Sequence, residues 1–423
     1  MRVGERNSVS YPRFFAHCVL LSCLAGCGAA ADSTASTASA PPVSVPQDPL
    51  LPPGPTWVGA WGTAMHQSVN FSEVSLRMVV HPSIGGDQLR LRFSNAHGQT
   101  AAQYRKVSIA LRDTGPAIDA ATLSTVRFDG AESFELPPGG ERISDPLVFS
   151  FAAGDDLAIS FHVGTDAPLD QHGNAVAINY ISASGDFTEE TSGASYTSTS
   201  TSWMGLVGVD VQREGRAGTF VALGDSITDG GNPPDTNNRW PDYFATRLAA
   251  EGIDKGVLNA GIGANQVTRD TNFLGMSQAA VTRFARDVLA RPSVDSLVLF
   301  EGTNDLNGGV LADEVYAGLR DMSQRARALG IHVIAGTVTP RGKDPLWGAN
   351  PALEEQRQIL NASIRAGIGT DFDALADFDT ALASPGAPDV MNPLFDSGDG
   401  LHPNALGYQA LADAVPLDFL QIR

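Results

Sequence analysis

At 423 residues, 43% of them apolar, the chain is long enough for two globular domains with ordinary cores. Its 28 Lys and Arg face 47 Asp and Glu, a formal charge of −19, and no basic stripe interrupts the acid. That balance excludes a phosphate-backbone partner, reads as a solvated acidic surface, and favours a neutral substrate over an acidic one.

Residues 1–27 read as an export signal. Arg2, Arg6 and Arg13 precede an apolar stretch from Phe14 to Leu24 that is too short to span a bilayer. It ends in Leu24-Ala25-Gly26-Cys27, which resembles a bacterial lipobox, with Cys27 lipidated as the mature N-terminus. Ordinary secretory cleavage near Ala29 to Ala31 is the alternative. The expected location is the cell envelope, facing the periplasm or the cell surface, or otherwise outside the cell. Cys18, Cys23 and Cys27 are the only cysteines, so the mature body has neither disulfides nor thiolate metal sites. Membrane contact is expected only through the lipid on Cys27. Residues 28–55 are Ala, Ser, Thr and Pro with little else, a composition that predicts a flexible tether.

Between residues 56 and 215 the hydrophobic period is two. Val74, Leu76, Met78 and Val80 alternate with outward positions, as do Leu89, Leu91 and Phe93, then Val107, Ile109 and Leu111, then Leu157, Ile159, Phe161 and Val163. Half-buried antiparallel strands read this way, and Gly85-Gly86-Asp87 and Pro137-Pro138-Gly139-Gly140 punctuate them as turns. The expectation is a β-sandwich of jelly-roll type. Thr191 to Ser202 reads as a loop. Trp57 and Trp61 read as core or interface aromatics, with a sugar platform as the alternative.

From residue 216 to 423 the pattern changes. Short apolar runs (Phe220–Leu223, Leu297–Phe300, Val333–Ala335) alternate with helical stretches. Val281, Phe284 and Val288 share one helix face. Leu311, Val315, Leu319, Met322, Ala326 and Leu329 mark a longer helix with Gly330 as its cap. Such alternation predicts a five-stranded, doubly wound parallel sheet covered on both faces.

Three segments carry candidate chemistry. Gly224-Asp225-Ser226 follows the first apolar strand, Gly302-Thr303-Asn304-Asp305 follows another, and Asp399-Gly400-Leu401-His402-Pro403 lies near the C-terminus. Ester cleavage needs a hydroxyl, a base, a carboxylate that orients the base, and donors for the oxyanion. Ser226, His402 and Asp399 supply the first three. The Asn304 amide and the Ser226 N–H supply donors. The five other histidines of the β-rich part lack zinc spacing, and His332, heading a strand, reads as structural.

These segments closely resemble the motif blocks of the SGNH (GDSL) hydrolases, and the resemblance spans residues 55 to 423. Asn238-Arg239-Trp240-Pro241-Asp242, Asn259-Ala260-Gly261-Ile262, Arg286-Asp287-Val288-Leu289-Ala290, Trp57-Val58-Gly59-Ala60-Trp61 and Gly208-Val209-Asp210-Val211 are similar to secreted bacterial members. The resemblance implies a flavodoxin-like three-layer α/β/α domain behind the β-sandwich. It also implies acyl-enzyme catalysis by Ser226, His402 and Asp399, with no metal or cofactor. A third oxyanion donor is implied in the block Gly261-Ile262-Gly263-Ala264-Asn265. There the family's usual glycine is Ala264, whose N–H serves if its φ is negative; Gly263 is the shifted alternative. The expected function is an exported carboxylic ester hydrolase acting on short acyl groups, such as acetyl on a saccharide. Short-chain lipid or aryl esters, acyl transfer to another acceptor, and a degenerate glycan-binding lipoprotein remain alternatives. The β-rich part is expected to act as a cap or stability partner, with glycan binding as the alternative.

Overall fold

The computed structural model describes residues 55–215, 217–231, 236–271, 277–348, 350–418 and 420. The segment read as an export signal, Cys27 included, and all of the segment read as a tether except Pro55 lie outside them.

The first region is made of antiparallel strands. One sheet runs Thr56–Gly62, Leu206–Arg213, Gly86–Ser94 and Glu141–Ile143, with Leu147–Phe151 also paired to Gly86–Ser94. A second runs Ser198–Ser200, Asn179–Ser184, Val74–Val80, Leu157–Val163, Ala102–Leu111 and Ser124–Val126, with Phe134–Leu136 at its edge. A small third sheet joins Trp203–Met204, Ala167–His172 and Gln67–Phe71. Leu89, Leu91 and Phe93 from the first sheet meet Leu76, Met78, Val107, Ile109, Ile159 and Phe161 from the second in one buried cluster.

Two expectations need correction here. Ser198–Ser200 is a strand within the stretch read as a loop. Leu157–Val163 is buried along its whole length, not on alternate residues. Its second face lies under other chain segments: Ala158 packs with Ala110 and Ile118, and Ser160 accepts a 2.7 Å hydrogen bond from the buried Arg77 guanidinium. That guanidinium also donates to the Pro116 and Glu190 carbonyls, so the covering segments satisfy its polar groups.

The second region is a parallel sheet of five strands, β1 (Gly218–Gly224), β2 (Lys255–Gly261), β3 (Val294–Phe300), β4 (His332–Gly336) and β5 (Ala374–Ala376), in the spatial order 2-1-3-4-5. This is the flavodoxin-like order, with its crevice at the carboxyl ends of β1 and β3. Its helices include α1 (Ser226–Asp229), α2 (Trp240–Ala250), α3 (Ala280–Phe284), α4 (Thr303–Asn307), α5 (Ala312–Arg327), α6 (Pro351–Ala366) and α7 (Ala405–Ala414).

Because side chains alternate along a strand, neighbouring residues feed opposite layers. Val221, Leu223, Leu297 and Leu299 pack against Phe284, Val315, Leu319, Met322, Leu360 and Ile364 of α3, α5 and α6. Phe220, Ala222, Val298 and Phe300 pack against Trp240, Phe244 and Leu248 of α2 and Tyr408 and Leu411 of α7. Helix α5 is shorter than its apolar spacing suggests. Leu311 precedes it and is exposed, Ala328 caps it, and Gly330 follows with φ +77°. His332 heads β4 with its side chain exposed rather than packed.

The described residues form one compact unit. The switch of period near residue 216 therefore marks a change of strand type within continuous packing. Gly59 N–H donates to Thr219 Oγ1 at 2.9 Å, and Val257 N–H donates to Ser83 Oγ at 2.8 Å. A Cβ at Gly256 would fall 1.8 Å from the Gly59 carbonyl oxygen, so only glycine allows this approach.

Trp240 is fully buried, its ring among Phe220, Phe244 and Phe378 and its Nε1–H donating to Thr228 Oγ1 at 3.2 Å. Trp240→Ala is expected to lower unfolding free energy by about 3–5 kcal/mol in urea denaturation, because the cavity it leaves cannot close.

Candidate active site

Strand β1 ends at Gly224, paired with Gly261 of β2 and Phe300 of β3. A Cβ at Gly224 would lie 2.0 Å from Thr228 Oγ1 and 2.9 Å from the Phe300 carbonyl oxygen, so the turn requires glycine. Asp225 caps α1, its carboxylate accepting the Ile227 N–H at 2.9 Å. Ser226 is thereby the first helical residue, partly exposed beyond the sheet.

His402 arrives from the loop before α7. Its Nε2 lies 2.9 Å from Ser226 Oγ, and its Nδ1 lies 2.7 Å from Asp399 Oδ2. The other Asp399 oxygen accepts the N–H groups of Leu401 and His402 at 2.9 and 2.8 Å. The loop makes the single turn that this needs. Gly400 sits at φ +76°, Asp396 accepts the N–H groups of Gly398 and Gly400, and Ser397 N–H donates to the His402 carbonyl. Burial pushes the Asp399 carboxyl up, but the His402 ring and the two backbone N–H groups outweigh it and hold it well below the usual carboxylate range. An acceptor fixed at Nδ1 puts the neutral ring's proton there, leaving Nε2 free to accept from Ser226.

The donors lie on the loops that follow β1, β2 and β3. Ser226 N–H donates to none of the described groups. Asn304, in α4, gives one amide N–H to the Asn265 carbonyl at 3.0 Å, and the other has no partner among the described residues. Ala264 departs from the expected condition: its φ is +59°, in the left-handed region, because the turn from Ile262 to Asn265 closes through an Asn265 N–H to Ile262 carbonyl bond. The negative-φ condition is too strict, since a left-handed φ strains alanine but leaves its N–H in place: the Ala264 N–H donates to none of the described groups, whereas Gly263 N–H is taken by Asp229 Oδ2 at 3.0 Å. An L-residue held at such a φ is strained by about 1–2 kcal/mol. Ala264→Gly is therefore expected to raise unfolding free energy by about 1 kcal/mol, read from the urea midpoint.

The GDSL-like lipase/acylhydrolase family model matches residues 222–410, a span that contains all five of these residues. Over those residues the chain is similar to that family. The GDSL domain is also similar to solved structures. A GDSL-like lipase from Bacteroides thetaiotaomicron is 21% identical, over 46% of this chain and 84% of its own, with a TM-score of 0.35. A carbohydrate acetylesterase family member from Sinorhizobium meliloti is 18% identical, over 47% and 94%, with a TM-score of 0.37. An acetylxylan esterase from Geobacillus stearothermophilus, solved as a catalytic mutant, is 18% identical, over 49% and 95%, with a TM-score of 0.37. No curated protein sequence matches the chain.

Beneath the GDSL serine lies a charge network that no motif announced. Arg283 of α3 is fully buried and donates to Asn265 Oδ1, to the Ala260 carbonyl and to the Gly224 carbonyl at 3.0, 2.8 and 3.2 Å. It pairs with Asp287 at 3.3 Å and stands 3.6 Å from Glu301, whose two buried oxygens have no hydrogen-bond partner among the described residues. Burial pushes the Glu301 carboxyl well up. Asp305, next to Asn304, accepts the N–H groups of Val267 and Thr268 at 2.8 and 3.0 Å and so ties α4 to the Ala264 loop. Among the described residues no group of three or more His, Cys, Asp or Glu side chains is placed to hold a metal ion. A cleft of about 250 Å³ lined by Trp61, His81, Asn237 and Arg239 includes none of the five site residues. Trp61 itself is buried edge-on against Trp203.

Burial pushes Asp225 up to about 6. A carboxyl whose folded value exceeds its unfolded one keeps its proton longer in the folded state, so stability falls as pH rises from about 4 to about 6. Relative to Asp225→Asn, the wild type is expected to lose about 3 kcal/mol across that window in urea titrations.

Proposed function

We propose that this protein is an exported, lipid-anchored serine esterase that removes short acyl groups, acetyl foremost, from a saccharide. In this reading residues 56–215 are a β-sandwich domain of jelly-roll type and residues 216–423 the catalytic domain. The observation that carries the reading is the unbroken line from Ser226 Oγ through His402 to Asp399, at 2.9 and 2.7 Å.

Ser226 attacks the ester carbonyl as His402 Nε2 takes its proton. The oxyanion is held by the N–H groups of Ser226 and Ala264 and the other amide N–H of Asn304. His402 returns the proton to the leaving alkoxide, Asp399 stabilises the imidazolium, and water deacylates the enzyme through the same base.

A groove of about 820 Å³ supports the saccharide part. Its polar lining includes Gln67, Ser68, Asn70, His97, Gln99 and Gln278. Burial lowers His97, so this lining is uncharged at neutral pH and suited to hydroxyl groups. Gln278 holds the Asn265 side chain through its carbonyl at 2.8 Å, which brings the groove to the Ala264 loop.

Hydrolysis of p-nitrophenyl acetate, butyrate and octanoate tests the reading. Wild type is expected to prefer acetate, Ser226→Ala to fall to background, and Asn304→Ala to lose about 100- to 1,000-fold in kcat. A preference for octanoate would overturn the acetyl-saccharide assignment. Equal background rates in wild type and Ser226→Ala would overturn the esterase, leaving the β-rich part as the candidate for glycan binding.

A further inference from the structure

His172 and Asp229 meet where the β-rich region touches the nucleophile's own helix. His172 ends the strand Ala167–His172, and Asp229 ends α1, three residues after Ser226. His172 Nε2 lies 3.0 Å from Asp229 Oδ1 and 3.0 Å from the Asn174 carbonyl oxygen, while Nδ1 lies 2.8 Å from the Ala64 carbonyl oxygen. Every one of these neighbours is an acceptor. A neutral imidazole has one N–H and would leave a ring lone pair facing an oxygen, so the three contacts suit a ring protonated at both nitrogens beside an ionised Asp229. Both side chains are buried, 2% and 5% exposed.

Burying two charges is a weak source of stability, since desolvation offsets much of their attraction. What the pair does supply is a fixed acceptor. The other Asp229 oxygen, Oδ2, takes the Gly263 N–H at 3.0 Å. That N–H shares its peptide plane with the Ile262 carbonyl, which accepts from Asn265 N–H at 3.1 Å. One plane is thus pinned at both ends, and the next plane carries the Ala264 N–H. The loops touch closely here: a Cβ on Gly261 would fall 2.2 Å from Asp229 N. Asn174, two residues after His172, donates to the Gly230 carbonyl and holds the far end of α1.

We infer that His172 and Asp229 are positioning residues through which the β-rich region holds the Ala264 N–H in place for the oxyanion. The inference rests on the esterase reading of Ser226. It assigns the β-rich region a part in the chemical step, because the acceptor that fixes the strained Ala264 backbone is itself oriented by a side chain from that region. The ring's own equilibrium agrees: burial opposes its charge, yet the Asp229 carboxylate and the Ala64 and Asn174 carbonyls outweigh burial and hold the imidazole above its ordinary value.

The test uses the full chain and p-nitrophenyl acetate, with rates expressed per Ser226 titrated by a fluorophosphonate. Asp229→Ala is expected to lower kcat about 10- to 100-fold with KM within about twofold. Asp229→Asn keeps an oxygen for the Gly263 N–H and is expected to stay within about fivefold of wild type. Should Asp229→Ala fail to fold, the double variant His172→Phe with Asp229→Leu fills the space without an acceptor, and the same kcat loss is expected. A kcat per titrated site within about twofold of wild type in either acceptor-free variant would overturn the inference, as would Asp229→Asn falling as far as Asp229→Ala. Amide hydrogen exchange at Gly263 decides the matter without turnover: at least about 100-fold faster exchange in the acceptor-free variant supports the inference, and unchanged exchange overturns it. An inactive wild type with a slowly exchanging Gly263 would instead remove the esterase reading and leave the positioning intact.

Discussion

The geometry of the site depends on one buried cation. Arg283 has no solvent around it, so each of its N–H groups must find an oxygen within the protein, and the oxygens it finds belong to three separate pieces of the site. It holds the Gly224 carbonyl at the end of β1, the Ala260 carbonyl near the end of β2 and the Asn265 side chain beyond it. A guanidinium suits this work because its donors diverge from a rigid plane. With those atoms tied to a common point, Ser226 and Ala264 have little freedom relative to one another. Asp305 does the same between the third strand and the second loop.

Much of the parallel-sheet region was legible in the sequence. A parallel sheet buried on both faces writes itself as continuous apolar runs, and Phe220–Leu223 and Leu297–Phe300 are such runs. The residues that meet at the site sit in short local blocks, because each loop has to turn tightly after its strand: glycine at 224 and at 400, an acid to cap or orient, then the functional side chain. The His402–Asp399 bond was readable for the same reason, since a three-residue spacing closes within one turn.

What was not legible is what depends on partners far away in sequence. Nothing around Arg283 distinguishes it from a surface arginine on an amphipathic helix. Its carbonyl partners are backbone atoms, which leave no trace in residue identity. His172 read as one histidine among several in a β-rich stretch, and Asp229 carried no signal of its own. The outer face of Leu157–Val163 misled for a related reason. Alternation indicates which side chains are apolar, whereas Ser160 and His162 are buried with polar partners, Arg77 and the Val74 carbonyl, on the neighbouring strand Val74–Val80. The left-handed φ at Ala264 also has no residue signal, because alanine is the last residue one would choose for it.

The serine and the histidine that face one another are 176 residues apart in the chain. Between them lie four of the five parallel strands, and the histidine loop precedes the last described helix, α7. Synthesis therefore completes Ser226 long before His402 exists, and the contact between them cannot form until the loop before α7 has been made. The pairing at this site is among the last long-range contacts the chain can make.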